Sequence, residues 1–151
     1  MLSLTAPFRA QGIVTAKTFS LGLAKTIAEA ALAECKATGF STSVGGGGWS
    51  RSGLVVMRDE NATAQTAEMS RRKAYTARMF RTSTMEFQKR TAEPLYAAQR
   101  DVSDILALGG GVPIQIGDDV IGGVGSSGSS QPQDDACARA GVAKVADLLK
   151  P

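Results

Sequence analysis

The feature that most constrains the fold is the way short apolar runs meet across glycine or a tight turn, twice along the chain. Phe40 to Val44 runs into Gly45-Gly46-Gly47-Gly48-Trp49-Ser50 and then into Leu54, Val55, Val56 and Met57. Two strand-length runs around a glycine-rich connection predict a hairpin with a flexible loop. The polar residues Arg58 to Asn61 close it. Further on, Ile105 to Leu108, Val112-Pro113-Ile114-Gln115-Ile116 and Val120 to Val124 are separated by Gly109-Gly110-Gly111 and by Gly117-Asp118-Asp119. This reads as a meander of three antiparallel strands, with Pro113 starting its strand late or lying at an edge, because proline cannot donate to the ladder. The result is an antiparallel sheet of about five strands; the alternating strand–helix pattern of a doubly wound parallel sheet is absent.

Helical patterns flank these runs. Ala24, Ile27, Ala28, Ala31 and Cys35 recur at helical spacing between Ser20 and Thr38. Ser20 supplies an N-cap, and Gly39 stands where a left-handed C-cap belongs. Residues 66–81 read as a second helix rich in small residues (Ala67, Ser70, Ala74, Ala77), able to lie close to a sheet. Ser83 and Glu86 form a capping box for a short third helix, and Leu95 to Arg100 after Pro94 forms another helical turn. Gly125 to Ser130 reads as a Gly/Ser loop. A last helix over 133–149 follows, with Ser130 as cap, Asp134 and Asp135 in its first turn, and a stripe of Ala138, Val142, Val145 and Leu149. The expectation is one α+β domain over 1–151, with residues 1–19 as an irregular or strand-like arm.

Composition narrows the chemistry. The chain has no histidine, which removes the commonest general base and the commonest zinc and haem ligand. Catalysis must use Asp, Glu, Lys, Tyr, Cys or a bound cofactor. Seventeen basic against fourteen acidic residues give a net charge of +3, too mild to announce nucleic acid. Nor does any stretch approach the ~20 apolar residues needed to span a bilayer. Cys35 and Cys137 lie far apart with no paired spacing, and Cys35 falls on an apolar stripe. We therefore expect no metal motif, no disulfide framework, and a cytoplasmic protein with reduced thiols.

The glycine runs are the candidate binding segments. Gly109, Gly110, Gly111, Gly125, Ser126 and Ser127 offer close backbone approach and N–H groups that can hold an anion, and Gly125 to Gly128 precedes a helix N-terminus. They serve equally well as tight turns and strand crossings. Neither run is a P-loop, because Gly-Lys-Ser/Thr is missing. Lys73, Tyr75 and Arg78 share one helix. Lys73 is a candidate base or Schiff-base donor; its plainer roles are a surface charge or a group that orients a carboxylate. Arg58 and Asp59 end a strand beside the glycine loop, as a structural ion pair or as an anchor for an acidic ligand.

Taken together, Lys73-Ala74-Tyr75-Thr76-Ala77, Gly109-Gly110-Gly111-Val112-Pro113-Ile114 and Val120-Ile121-Gly122-Gly123-Val124-Gly125-Ser126-Ser127-Gly128 resemble the GlcG/HbpS-like family, which includes the C-terminal domain of PduO-type proteins. Leu54 to Ala62 is similar to that family's strand ending in an Arg-Met-Asp-like corner, and Asp135 with Ala140-Gly141 fits its last helix. The resemblance covers about 20–149. It implies a profilin-like α+β fold and homo-oligomers, from dimers to octamers. It also implies a small-molecule ligand, in several relatives haem or a corrinoid-type tetrapyrrole. The chain departs from the family at Gly45 to Gly53, where Trp49 is inserted and the Asp and His of relatives are missing. Tyr75, Met57, Met79, Cys35 and Lys73 remain as iron ligands in principle, none with supporting spacing.

Three expectations follow from this reading. The first is a cytoplasmic, oligomeric protein binding a tetrapyrrole or small organic acid. The second is a cofactor-independent lyase or isomerase using Lys73, Tyr75, Asp59 or Glu60, with backbone N–H groups near Gly110 and Ser126 stabilising an enolate. The third is an accessory subunit of a larger complex.

Overall fold

The computed structural model describes residue 12 and residues 14–151. Most of the arm expected over 1–19 lies outside the described residues. Helix α1 (Leu21–Ala37) is followed by strands β1 (Ser43–Gly47) and β2 (Val55–Arg58), helices α2 (Gln65–Phe80) and α3 (Thr84–Arg90), strands β3 (Gly111–Ile116) and β4 (Asp119–Ser127), and helix α4 (Gln131–Lys144). Short 3₁₀ segments occupy Pro94–Asp101 and Ala146–Leu149. The expected caps form. Ser20 Oγ accepts from Leu23 N–H, Ser83 Oγ from Glu86 N–H and Ser130 Oγ from Gln133 N–H. Gly39 takes φ +88°, the left-handed conformation that ends α1.

The four strands are antiparallel in the order β2-β1-β4-β3. The fifth expected strand, Ile105 to Leu108, does not pair. Side chains of α2 take its backbone polar groups instead: Arg72 donates to the Ile105 carbonyl and Thr76 Oγ1 accepts the Leu106 N–H. Two segments expected as loops are strand. Gly45 to Gly47 belong to β1, and Gly125 to Ser127 finish β4.

The alternation of strand residues explains why those glycines extend the sheet. Val44, Val112, Ile114 and Val124 face α1 and α4, forming the core with Ile27, Ala28, Ala31 and Ala138. The other face, beneath α2, is nearly bare. Gly45, Gly125 and Gly111 stand in register across three strands, with Gly123 one step along. A Cβ at Gly125 would lie 2.3 Å from the Ser70 carbonyl oxygen, and one at Gly123 would lie 2.2 Å from that of Ala74. Helix α2 therefore rests main chain against main chain, and the small residues noted on it are the matching half of that contact.

The cysteines correct the sequence reading. Cys35 and Cys137 form a disulfide joining α1 to α4, with Cα atoms 5.5 Å apart and both residues fully buried. A sequence separation of 102 residues hid the pairing. The apolar stripe does carry Cys35 into the core, but its thiol is not free.

Candidate functional site

The two glycine runs do meet beside Lys73, at the end of the sheet where Ser43 pairs with both Arg58 and Ser127. Lys73 is buried, and its Nζ donates to the Ser126 carbonyl at 2.8 Å and to Asp134 Oδ2 at 2.9 Å. Asp134 Oδ1 accepts from the backbone N–H and the hydroxyl of Ser129. Burial pushes the Lys73 ammonium below its ordinary range, while the charge and hydrogen bond of Asp134 hold it up. Gly110 has φ +119° and no room for a Cβ between Ser126, Asp134 and Lys73.

Three of the N–H groups expected to hold an anion already have partners here. Gly109 N–H goes to Gln131 Oε1, Gly111 N–H to Thr84 Oγ1, and Ser126 N–H to the Gly110 carbonyl. Lysine fills the space between the runs and ties α2, β4 and α4 together.

The other expected site residues are dispersed. Tyr75 is half-buried against a cleft of only about 10 Å³, room for roughly one water, shared with Gly46, Gly47 and Arg71. Arg58 and Asp59 lie at the opposite end of β2 from the glycine loop and do not pair with each other. Arg58 donates to the Ala62 carbonyl. The Asp59 carboxylate accepts from Asn61 N–H and pairs with Lys36 at 3.4 Å. The Asn61 hydrogen bond, then Lys36, hold its carboxyl below the usual range.

A second site, not anticipated from sequence, lies at the other end of the sheet. The loop joining β1 and β2 carries Trp49 over the last turns of α2, and the Arg78 guanidinium sits 3.6 Å from the centre of the indole ring. That distance is a cation–π contact. Together with Arg81, Lys17, Asp119 and Ile121 they line a cleft of about 290 Å³. Arg78 is only 5% exposed, and its Nε has no hydrogen-bond partner among the described residues. It has no carboxylate there either, whereas Lys17 is neutralised by Asp119 at 2.8 Å. Burial, then the nearby Arg81 charge, lower the Arg78 pKa from its ordinary value.

Arg81 takes the left-handed conformation that ends α2 and donates to the Asp118 carbonyl, a partner that carries no formal charge. The signal available in the sequence was the pair Arg78 and Arg81, two like charges three residues apart with no acid between them. Among the described residues no cluster of His, Cys, Asp and Glu could hold a metal.

Comparison with known proteins agrees with this architecture. The family model described as haem degrading protein HbpS-like matches residues 19–143. The chain belongs to the HbpS-like family. The crystal structure of HbpS shares 32% sequence identity with it, with a TM-score of 0.81 over 89% of this chain and 96% of that chain. Two HbpS-like folds at lower identity superpose almost as well. Klebsiella pneumoniae protein ORFY has 21% identity and a TM-score of 0.80, over 94% of this chain and 98% of that one. A PduOC:haem complex has 24% identity and a TM-score of 0.75, over 84% and 94%. No curated protein sequence matches the chain. Among the described residues, no helix is long and apolar enough to cross a membrane.

Proposed function

We propose that this HbpS-like protein binds a small anionic organic ligand in the cleft under Trp49, and that Arg78 anchors its carboxylate. The observation that carries the reading is the buried Arg78 guanidinium, unpaired among the described residues. A buried charge is costly unless it is paired. An anionic ligand supplies the missing partner, and a planar guanidinium suits a carboxylate in bidentate contact.

The HbpS likeness and the PduOC:haem complex support a tetrapyrrole, whose propionates suit the arginines. The candidate ligands named from the sequence do not fit haem iron. There is no histidine, Cys35 is in the disulfide, Lys73 is held by Asp134, and Met57 packs on the core. Tyr75 faces the small cleft on the other side of the loop, and Met79 is exposed. We derive no iron chemistry from them.

The exposed Leu54 and Val56, on or next to the outer strand β2, support self-association, the homo-oligomer expected from the sequence. The disulfide supports a compartment in which such bonds persist, in place of the cytoplasm.

The test is binding of small organic acids and of haemin to wild type and to Arg78→Met. It is followed through Trp49, which is the chain's one tryptophan, and through the Soret band. The expected result is quenching by acids in wild type and loss of that response in the variant. Equal binding by Arg78→Met, or no binding of any acid, overturns the reading.

A further inference from the structure

We infer that the cleft under Trp49 is built for a compact dianion, with one anionic group met by Arg78 and the second charge met by Arg81. This rests on the anion-binding reading above and adds the ligand's charge and size.

The charge count is short. The charged groups lining the cleft are Lys17, Arg78, Arg81 and Asp119. Lys17 pairs directly with Asp119, and Arg81 acts on the same carboxylate only through space, so one negative charge stands against three positive ones. Arg78 and Arg81 are left, and neither has an ion-pair partner among the described residues. Their mutual repulsion is felt at Arg78. Two unmatched like charges at one cleft are relieved fully by a ligand with two negative charges and only half by one with a single charge.

Size and lining point the same way. About 290 Å³ is at the lower limit of ligand pockets, enough for a dicarboxylate on a short or single-ring body, or for a phosphate ester. Trp49 is 56% exposed and lies over the guanidinium like a flap, so an entering planar acid has an aromatic edge to meet. Val120 and Ile121 also line the cleft, beside the charged groups.

The discriminating probes are phthalate and benzoate, which share one ring and differ by one carboxylate, with inorganic phosphate near pH 7.5 as the second source of a dianion. Binding is read by Trp49 fluorescence and by calorimetry at fixed salt. A charge-assisted hydrogen bond is worth roughly 10- to 100-fold in affinity, so phthalate should bind at least about 10-fold more tightly than benzoate. Arg81→Met should bring phthalate down to the benzoate level, while Arg81→Lys keeps most of the preference and shows that charge, not folding, is responsible. Phosphate binding without phthalate binding supports the dianion and assigns it to the phosphate class. Equal affinity for phthalate and benzoate, both lost in Arg78→Met, overturns the dianion and leaves the anion site standing. Absence of any binding overturns both.

Discussion

The Cys35–Cys137 disulfide has a consequence large enough to measure simply. Closing a loop across a sequence separation of 102 residues removes chain entropy from the unfolded state. The loop-entropy relation puts this at about 4.7 kcal/mol at 25 °C for a loop of that length. For a chain of this size each kcal/mol moves the melting temperature by roughly 2–4 °C, so opening the bond should lower Tm by roughly 9–19 °C. The reduced wild type is the right perturbation, because it keeps every core atom and loses only the link. Both sulfurs are buried, so the protein must be unfolded in denaturant with a phosphine reductant and refolded under it. Thermal unfolding by circular dichroism, with and without reduction, gives the difference. Two free thiols in a thiol titration of unfolded, never-reduced protein would refute the pairing. A Tm fall below about 3 °C with the link confirmed would refute the entropic argument.

Two further predictions concern charges. Lys73 and Asp134 have side chains only 1% and 3% exposed, so Lys73→Met alone should destabilise by about 3–5 kcal/mol by stranding the carboxylate. Adding Asp134→Asn should restore more than half, as read by chemical denaturation; additive losses would show the pair to be uncoupled. Asp104 is held below the ordinary carboxylate range first by its hydrogen bond to Arg71, then by Arg51. Its contribution is therefore present above the unfolded value of about 3.9 and disappears as pH falls through the lower folded value. Asp104→Asn suits the residue's φ of +67°, and should show a Tm deficit near neutrality that closes below about pH 4. A deficit that is constant with pH, or that widens in acid, would contradict the assignment.

Helix α1 was legible because everything that makes it is local: the Ser20 cap, the stripe from Ala24 to Cys35, and the Gly39 stop. The same holds for α3 behind Ser83. The glycine strands were not legible as strands, since glycine carries no preference for extended backbone. What keeps Gly45 and Gly125 in the sheet is the arrival of α2 above them, which is a tertiary fact. Ile105 to Leu108 misled for the opposite reason. Its apolar content suits a strand, but helix side chains take its carbonyl and amide before a neighbouring strand can.

Of the expected site, the meeting of the glycine runs at Lys73 was legible, and the filling of the space between them was not. The role of Arg78 depended on where the Trp49 loop comes to rest, and residue spacing carries no information about that.

The glycine rows under α2 also determine how firmly the arginine cleft is placed. A helix seated on side chains can ride up or down as those side chains are exchanged. A helix seated on peptide groups meets atoms that every residue shares, and its height becomes a fixed datum. The hypothetical Cβ of Gly123 that would strike Ala74 would also lie 3.3 Å from the Arg78 amide nitrogen, so the anchoring residue sits directly on that datum. A substitution in the valine and isoleucine layer beneath α1 and α4 falls on the far face of the sheet, and the guanidinium under Trp49 would stay where it is.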